Sequence, residues 1–244
     1  MKKTNIGNVP KDKVLGTFKD FCEKLESGAI SWESWQVFRN LLKNQHALLG
    51  ESKNPFTIPT NLEVWQTIYQ EHFGIEIDIS DIEDKPNRWP IYVHKGTKTQ
   101  HVYELLETLF PCWKNTRYKY RDLDDVVTHN DRETTESYVI WVAQNVEADE
   151  QFANKSADTL RDENHKGMTL LERLLLELFY YTLTGKHLDI GDFTLCTGSR
   201  NIGGSVPCVG WGWGGEMKVN SFSPSDADAC MRSRKVVSVQ KLTT

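Results

Sequence analysis

Residues 206–230 read VPCVGWGWGGEMKVNSFSPSDADAC. Trp211 and Trp213 stand in a field of Gly, and a run of small polar residues follows. The segment is too apolar at its Val and Trp positions for a disordered linker, and it holds no catalytic signature and no metal-ligand spacing. Read as a strand, VPCVGW (206–211) places Val209 and Trp211 on one side, because successive side chains alternate. Cys208 and Gly210, with Gly212 beyond them, fall on the other. Further on, Val219 points one way and Asn220 and Phe222 the other. The first set has the character of a scaffold. The second is chemically mixed and is expected to face outward.

The outward set shares a coding property. An Asn codon altered only at its two adenines reaches Asn, Ser, Thr, Ile, Asp, Gly, Ala, Val, His, Arg, Pro, Leu, Tyr, Cys and Phe. It never reaches Trp, Met, Lys, Glu or Gln. Cys208, Gly210, Gly212, Asn220, Phe222, Ser225, Asp226, Asp228 and Cys230 all belong to the reachable group, whereas the interleaved Trp211, Trp213, Glu216, Met217 and Lys218 do not.

Upstream, the texture is helical and then mixed. PKDKVLGTFKDFCEKLESG (10–28) and SWESWQVFRNLLKNQ (31–45) carry apolar residues at helical spacing. NLEVWQTIYQEHFG (61–74) follows a Thr60/Glu63 capping-box pattern and ends at Gly74. DKPNRWP (84–90) reads as a joint, so a helical N-terminal extension is expected over 1–87 and a second domain over 88–244. Within the latter, IYVH (91–94) and ESYVIWVAQ (136–144) are strand candidates and TQHVYELLETLF (99–110) is an amphipathic helix. MTLLERLLLELFYYTLTG (168–185) is the clearest helix, with Thr169 and Glu172 as a capping box and Gly185 past its end. Glu172, Arg173 and Glu177 interrupt it, so no membrane span is expected. Strand candidates DFTLCTG, VPCVGW, EMKVNSF and KVVSVQ complete the chain. The predicted class is α+β.

Composition narrows the function. The chain has 244 residues, 39% of them hydrophobic, which is enough for a substantial core. The formal charge of -5, without a basic stripe, argues against nucleic acid as a partner. The start carries two Lys but no apolar run after them, so no signal peptide is read and a cytoplasmic setting is the default. Five widely spaced Cys with no CxxC suggest neither a disulfide framework nor a zinc site.

Tests for chemistry return little. His94 and His101 belong to no HExxH or HxH pattern. Ser199 lies in TGSRN, not in a GxSxG elbow. DLDDVVTHNDRE partly matches a calcium loop through Asp122, Asp124, Asn130 and Glu133, but Val126 and Val127 occupy positions that need a ligand and a Gly. The glycines at 203, 204, 212, 214 and 215 form no phosphate cradle. Cys208 and Cys230 remain a candidate redox or metal pair. No catalytic residue, cofactor or metal is expected.

SYVIWV, EADE, KGMTLLERLLLEL, TGKHLD, TLCTGSR, VPCVGW and MRSRKVVS, in this order, give the chain a further reading. From about Asn130 to the C-terminus it resembles the variable proteins of diversity-generating retroelements, in the form found in uncultivated archaea and candidate-phylum bacteria. The resemblance implies a C-type lectin-like fold with an irregular antiparallel terminal sheet. It implies a diversified ligand-binding protein whose hypervariable patch is rewritten by adenine-directed reverse transcription within about 200–234. The diversified positions implied are Asn201, Ser205, Cys208, Gly210, Gly212, Asn220, Phe222, Ser225, Asp226, Asp228 and Cys230. Val206, Pro207, Val209, Trp211, Pro224, Arg232 and Arg234 would be framework. Thr197, Gly203 and Ser221 depart from the family's usual Ala, Asp and Trp. The implied ligand is a protein or a cell-surface molecule. Two alternatives stay open: a plain scaffold protein whose Gly-rich loop is a turn, and a formylglycine-generating type enzyme using Cys196 with Cys208 or Cys230.

Overall fold

The computed structural model describes residues 61–115, 118, 121–212 and 214–242. The helices expected at 10–28 and 31–45, the cap Thr60, Cys22 and Trp213 lie outside the described residues. Residues Pro59–Thr244 form one compact unit.

Helix α1 (Asn61–Ile68) opens the described chain and continues as a π-helical turn, Tyr69–Phe73, that closes on Gly74 at φ 65°. Trp65, Ile68 and Tyr69 are fully buried. Trp65 stacks on Phe179 at 5.4 Å and donates its indole N–H to Pro90 O at 2.7 Å. The boundary expected at 87/88 is therefore corrected: residues 61–87 belong to the same unit as the sheets. The apolar positions of α1 serve this core. The Pro-bearing stretch read as a joint is a local bend, with Asn87 at φ 59°, that leads into β1.

β1 (Arg88–Val93) pairs antiparallel with β4 (Ser137–Ala143), which is central in a three-stranded sheet. Pro90 is tolerated because β1 is an edge strand. Between them run α2 (Thr99–Leu109), β2 (Cys112–Lys114), α3 (Leu123–Val126) and β3 (Val127–Asn130). The calcium-loop reading resolves into capping. Asp122 caps α3, and the Asp124 carboxylate accepts the first N–H groups of α2, Thr99 N at 3.0 Å and Gln100 N at 3.1 Å.

After a 3₁₀ turn (Glu150–Phe152) and α4 (Ala157–Asp162), α5 (Leu170–Thr184) forms the centre of this unit. Its Thr169/Glu172 capping box is complete and Gly185 caps the far end at φ 69°. Every residue from Leu170 to Tyr180 is buried. A helix enclosed on all sides needs apolar residues all round, which is why this stretch shows so little amphipathic character.

β5 (Phe193–Leu195), β6 (Ser199–Asn201), β7 (Val206–Trp211), β8 (Met217–Phe222), β9 (Met231–Arg232) and β10 (Ser238–Leu242) follow. The five-stranded sheet runs β2-β8-β7-β5-β9. It is mixed rather than antiparallel, which corrects the expectation: β2 lies parallel to β8 and β5 parallel to β9. KVVSVQ does not join it. Its end becomes β10, the other neighbour of β4, because the chain turns through the core at Ser233 and Arg234 between the sheets. Among the described residues, β6 pairs with β3 alone.

Candidate functional site

β7 decides what residues 206–230 do. Val209 is fully buried against the main core. Trp211 packs on His187 with ring centres 3.6 Å apart, and its indole N–H donates to Glu177 Oε1 at 3.2 Å. This side matches the scaffold side expected from alternation.

The opposite side is not open. Val206 and Cys208 are fully buried in a second, smaller core with Ala157, Leu195 and Met231. Phe193, Phe222 and Cys230 pack on its rim. α4 and the chain before β9 cover this face, tied down by Asp158 N to Pro224 O at 2.9 Å and Asn154 N to Met231 O at 3.1 Å. The outward placement of Cys208 is thus corrected. Alternation assigns a side chain to a face but is silent on whether another layer covers that face. Burial also pushes the Cys208 thiol well above its ordinary pKa.

Gly210 is closed as well. A Cβ there would lie 2.6 Å from Asp192 O and 2.8 Å from the Phe193 ring, so β5 requires glycine at this position. Gly212 differs. The nearest atoms a Cβ there would meet belong to the end of the Lys218 side chain, which can swing aside. These two results answer why residues so small surround Trp211: one is demanded by a neighbouring strand and one is merely tolerated.

Asn201 is buried and organises the β6–β7 turn. Its Oδ1 accepts from Gly203 N at 2.9 Å and Ser205 N at 3.0 Å, and its Nδ2 donates to Tyr118 Oη at 3.4 Å. Ser205 is half-buried beside it. This placement, too, differs from an outward display position.

The remaining positions gather at the other end. Asn220 is half-buried and accepts from Asn115 Nδ2 at 2.5 Å. Phe222 is half-buried, and Ser225, Asp226 and Asp228 are exposed. Their loop is held by its own polar groups. Ser223 N donates to Asp226 Oδ2 at 3.0 Å, Asp226 N to Ser223 O at 3.0 Å, and Cys230 N to Asp228 Oδ1 at 2.9 Å. The bonds from Cys230 hold the Asp228 carboxyl below the usual range. In return the Cys230 thiol, bonded to Asp228 and partly buried, is pushed up to about 11.

Beneath both ends lies a charge network that the sequence reading missed. Arg173 pairs with Glu177 at 2.9 Å and with Asp189 at 2.9 Å, all without solvent contact. Arg234 donates to Asp189 Oδ1 at 2.6 Å and to the carbonyls of Asn145 and Val146, both at 2.7 Å. Burial opposes ionisation of Asp189, but Arg234 and Arg173, with Thr194, hold it below the usual carboxylate range. Arg232 pairs with Asp192 at 3.1 Å. The available signal was the i,i+4 pair Arg173 and Glu177 inside an otherwise apolar helix, which marks buried partners rather than a solvated face.

No family model matches the chain, and comparison with curated proteins and with solved structures finds no match to either. Among the described residues no group of three or more His, Cys, Asp or Glu is placed to hold a metal ion. No described helix is long and apolar enough to cross a membrane.

Proposed function

We propose that this chain is a ligand-binding protein whose C-type lectin-like scaffold carries a patch diversified by a retroelement. The observation that supports this reading is the rim formed by Asn220, Phe222, Ser225, Asp226, Asp228 and Cys230. These positions are half-buried or exposed, lie together on β8 and the following loop, and are flanked by tightly paired Arg232 and Arg234. Side chains at the exposed sites Ser225, Asp226 and Asp228 exchange at little cost, within about 0.5 kcal/mol, while the ion network below keeps the backbone in place. The ligand is a protein or cell-surface molecule. Tyr or Asn at these positions would anchor it better than the residues this copy carries.

The enzyme alternative finds less support. It needs an activated thiolate, whereas burial pushes the thiols of both Cys196 and Cys208 upward and keeps them protonated.

The test is the DNA around the gene. A near-copy of the codons for residues 200–234, differing at template adenines and lying beside a reverse-transcriptase gene, is the expected result. Flanks with neither element overturn the proposal and leave the scaffold reading.

A further inference from the structure

A concave region lies entirely on residues outside the segment 200–234. It is a cleft of about 410 Å³ between the start of β1, the end of β4, the loop 145–151 and the chain entering β10. That volume falls within the range of small-molecule sites, about 300–1,000 Å³. Its wall combines two cations, Arg88 and Lys235, with Asn145, Asp149 and Glu150 and an apolar strip that includes Val237.

The wall is fixed in advance. Asp149 is nearly buried, and both of its oxygens are used: Oδ1 accepts from Asn145 Nδ2 at 3.1 Å and Oδ2 from Lys235 N at 2.9 Å. Arg234 holds the carbonyls of Asn145 and Val146 from the core side. The backbone around the cleft is thus held before a guest arrives, which lowers the cost of binding. The side chains of Arg88 and Lys235, by contrast, have no hydrogen-bond or ion-pair partner among the described residues. Two free cations favour an anionic guest, and a guanidinium suits a planar carboxylate. Glu150, exposed in the same wall and with no side-chain partner among the described residues, disfavours a second negative charge. Val237, 48% exposed, supplies contact for an apolar body.

We infer that this cleft binds a small organic monocarboxylate, with the carboxylate between Arg88 and Lys235 and the apolar part against Val237. The inference stands apart from the proposed function. It is tested by titrating the isotope-labelled full chain with benzoate, and with benzamide as the neutral counterpart, and following backbone amide shifts. Benzoate is expected to give saturable shifts confined to residues 88–89, 143–151 and 235–237, with Kd on the order of 1 mM, and benzamide to give none there. Arg88→Gln and Lys235→Gln are each expected to weaken benzoate about tenfold while leaving the rest of the spectrum unchanged. Absence of saturable shifts at these residues, equal shifts with benzamide, or full affinity in the well-folded double variant would each overturn the inference.

Discussion

Residues 201–210 and residues 220–230 use a similar palette of Asn, Ser, Gly, Cys and Asp, yet the molecule treats them oppositely. In the first, Asn201 spends its side chain on a turn, Cys208 fills a core and Gly210 makes room for β5. In the second, the Asp226 and Asp228 carboxylates accept from N–H groups of their own loop and Ser225 is exposed. Small polar residues therefore do not signal a binding surface by themselves. What separates the two is the layer above. α4 and its flanks cover β7, whereas nothing among the described residues covers the loop 225–229.

The contrast breaks most violently at its shared base. Asp189→Ala leaves the Arg173 and Arg234 guanidinium groups buried with one carboxylate fewer, and is expected to cost about 3–5 kcal/mol. Urea unfolding reads this directly, and a loss below 1 kcal/mol would mean that the locked segment does not depend on the ion network. One step down, Gly210→Ala is expected to cost about 1–3 kcal/mol by forcing β5 aside. Gly212→Ala, two residues later, should stay within about 0.5 kcal/mol. Equal costs would erase the distinction between a closed and an open glycine.

A pH-dependent effect tests the covering layer. His165 bonds to Ser233 Oγ at 2.8 Å and packs edge-on against Phe152. Burial lowers its pKa from 6.5 to about 4, although Asp149 nearby opposes this. The unfolded chain thus takes up a proton at higher pH than the folded one. The contribution is fully present above pH 6.5 and is lost as pH falls toward about 4. His165→Gln should flatten stability over that window, as followed by thermal unfolding at a series of pH values. An unchanged acid limb would show that His165 is not its source.

The smallest effect belongs to the open segment. Ser225→Ala, Asp226→Ala and Asp228→Ala should each shift stability by about 0.5 kcal/mol or less, the ordinary range for surface positions. A larger loss at Asp228 would place its bond to Cys230 N with the scaffold instead.

Much of the framework was legible in the chain. The Thr169/Glu172 box and Gly185 bounded α5 as read, since caps are local chemistry. The run SYVIWVA announced a buried strand, and Val209 and Trp211 faced the core as alternation required. The coding argument grouped residues by what a codon can become, which carries no information about space. It therefore placed Cys208 and Gly210 with Asp226 and Asp228, and the resemblance added Asn201 to them.

Local sequence determined where elements begin and end and which side chains share a face, because caps, turns and period depend on neighbours within a few residues. Only the tertiary structure decided which face was covered. It set β2 and β9 parallel to their partners, sent β10 to the other sheet and drew Asp189 between Arg173 and Arg234. Those outcomes turn on contacts between residues far apart in the chain, such as α4 against the strands flanking β7, and no spacing within a single segment encodes them.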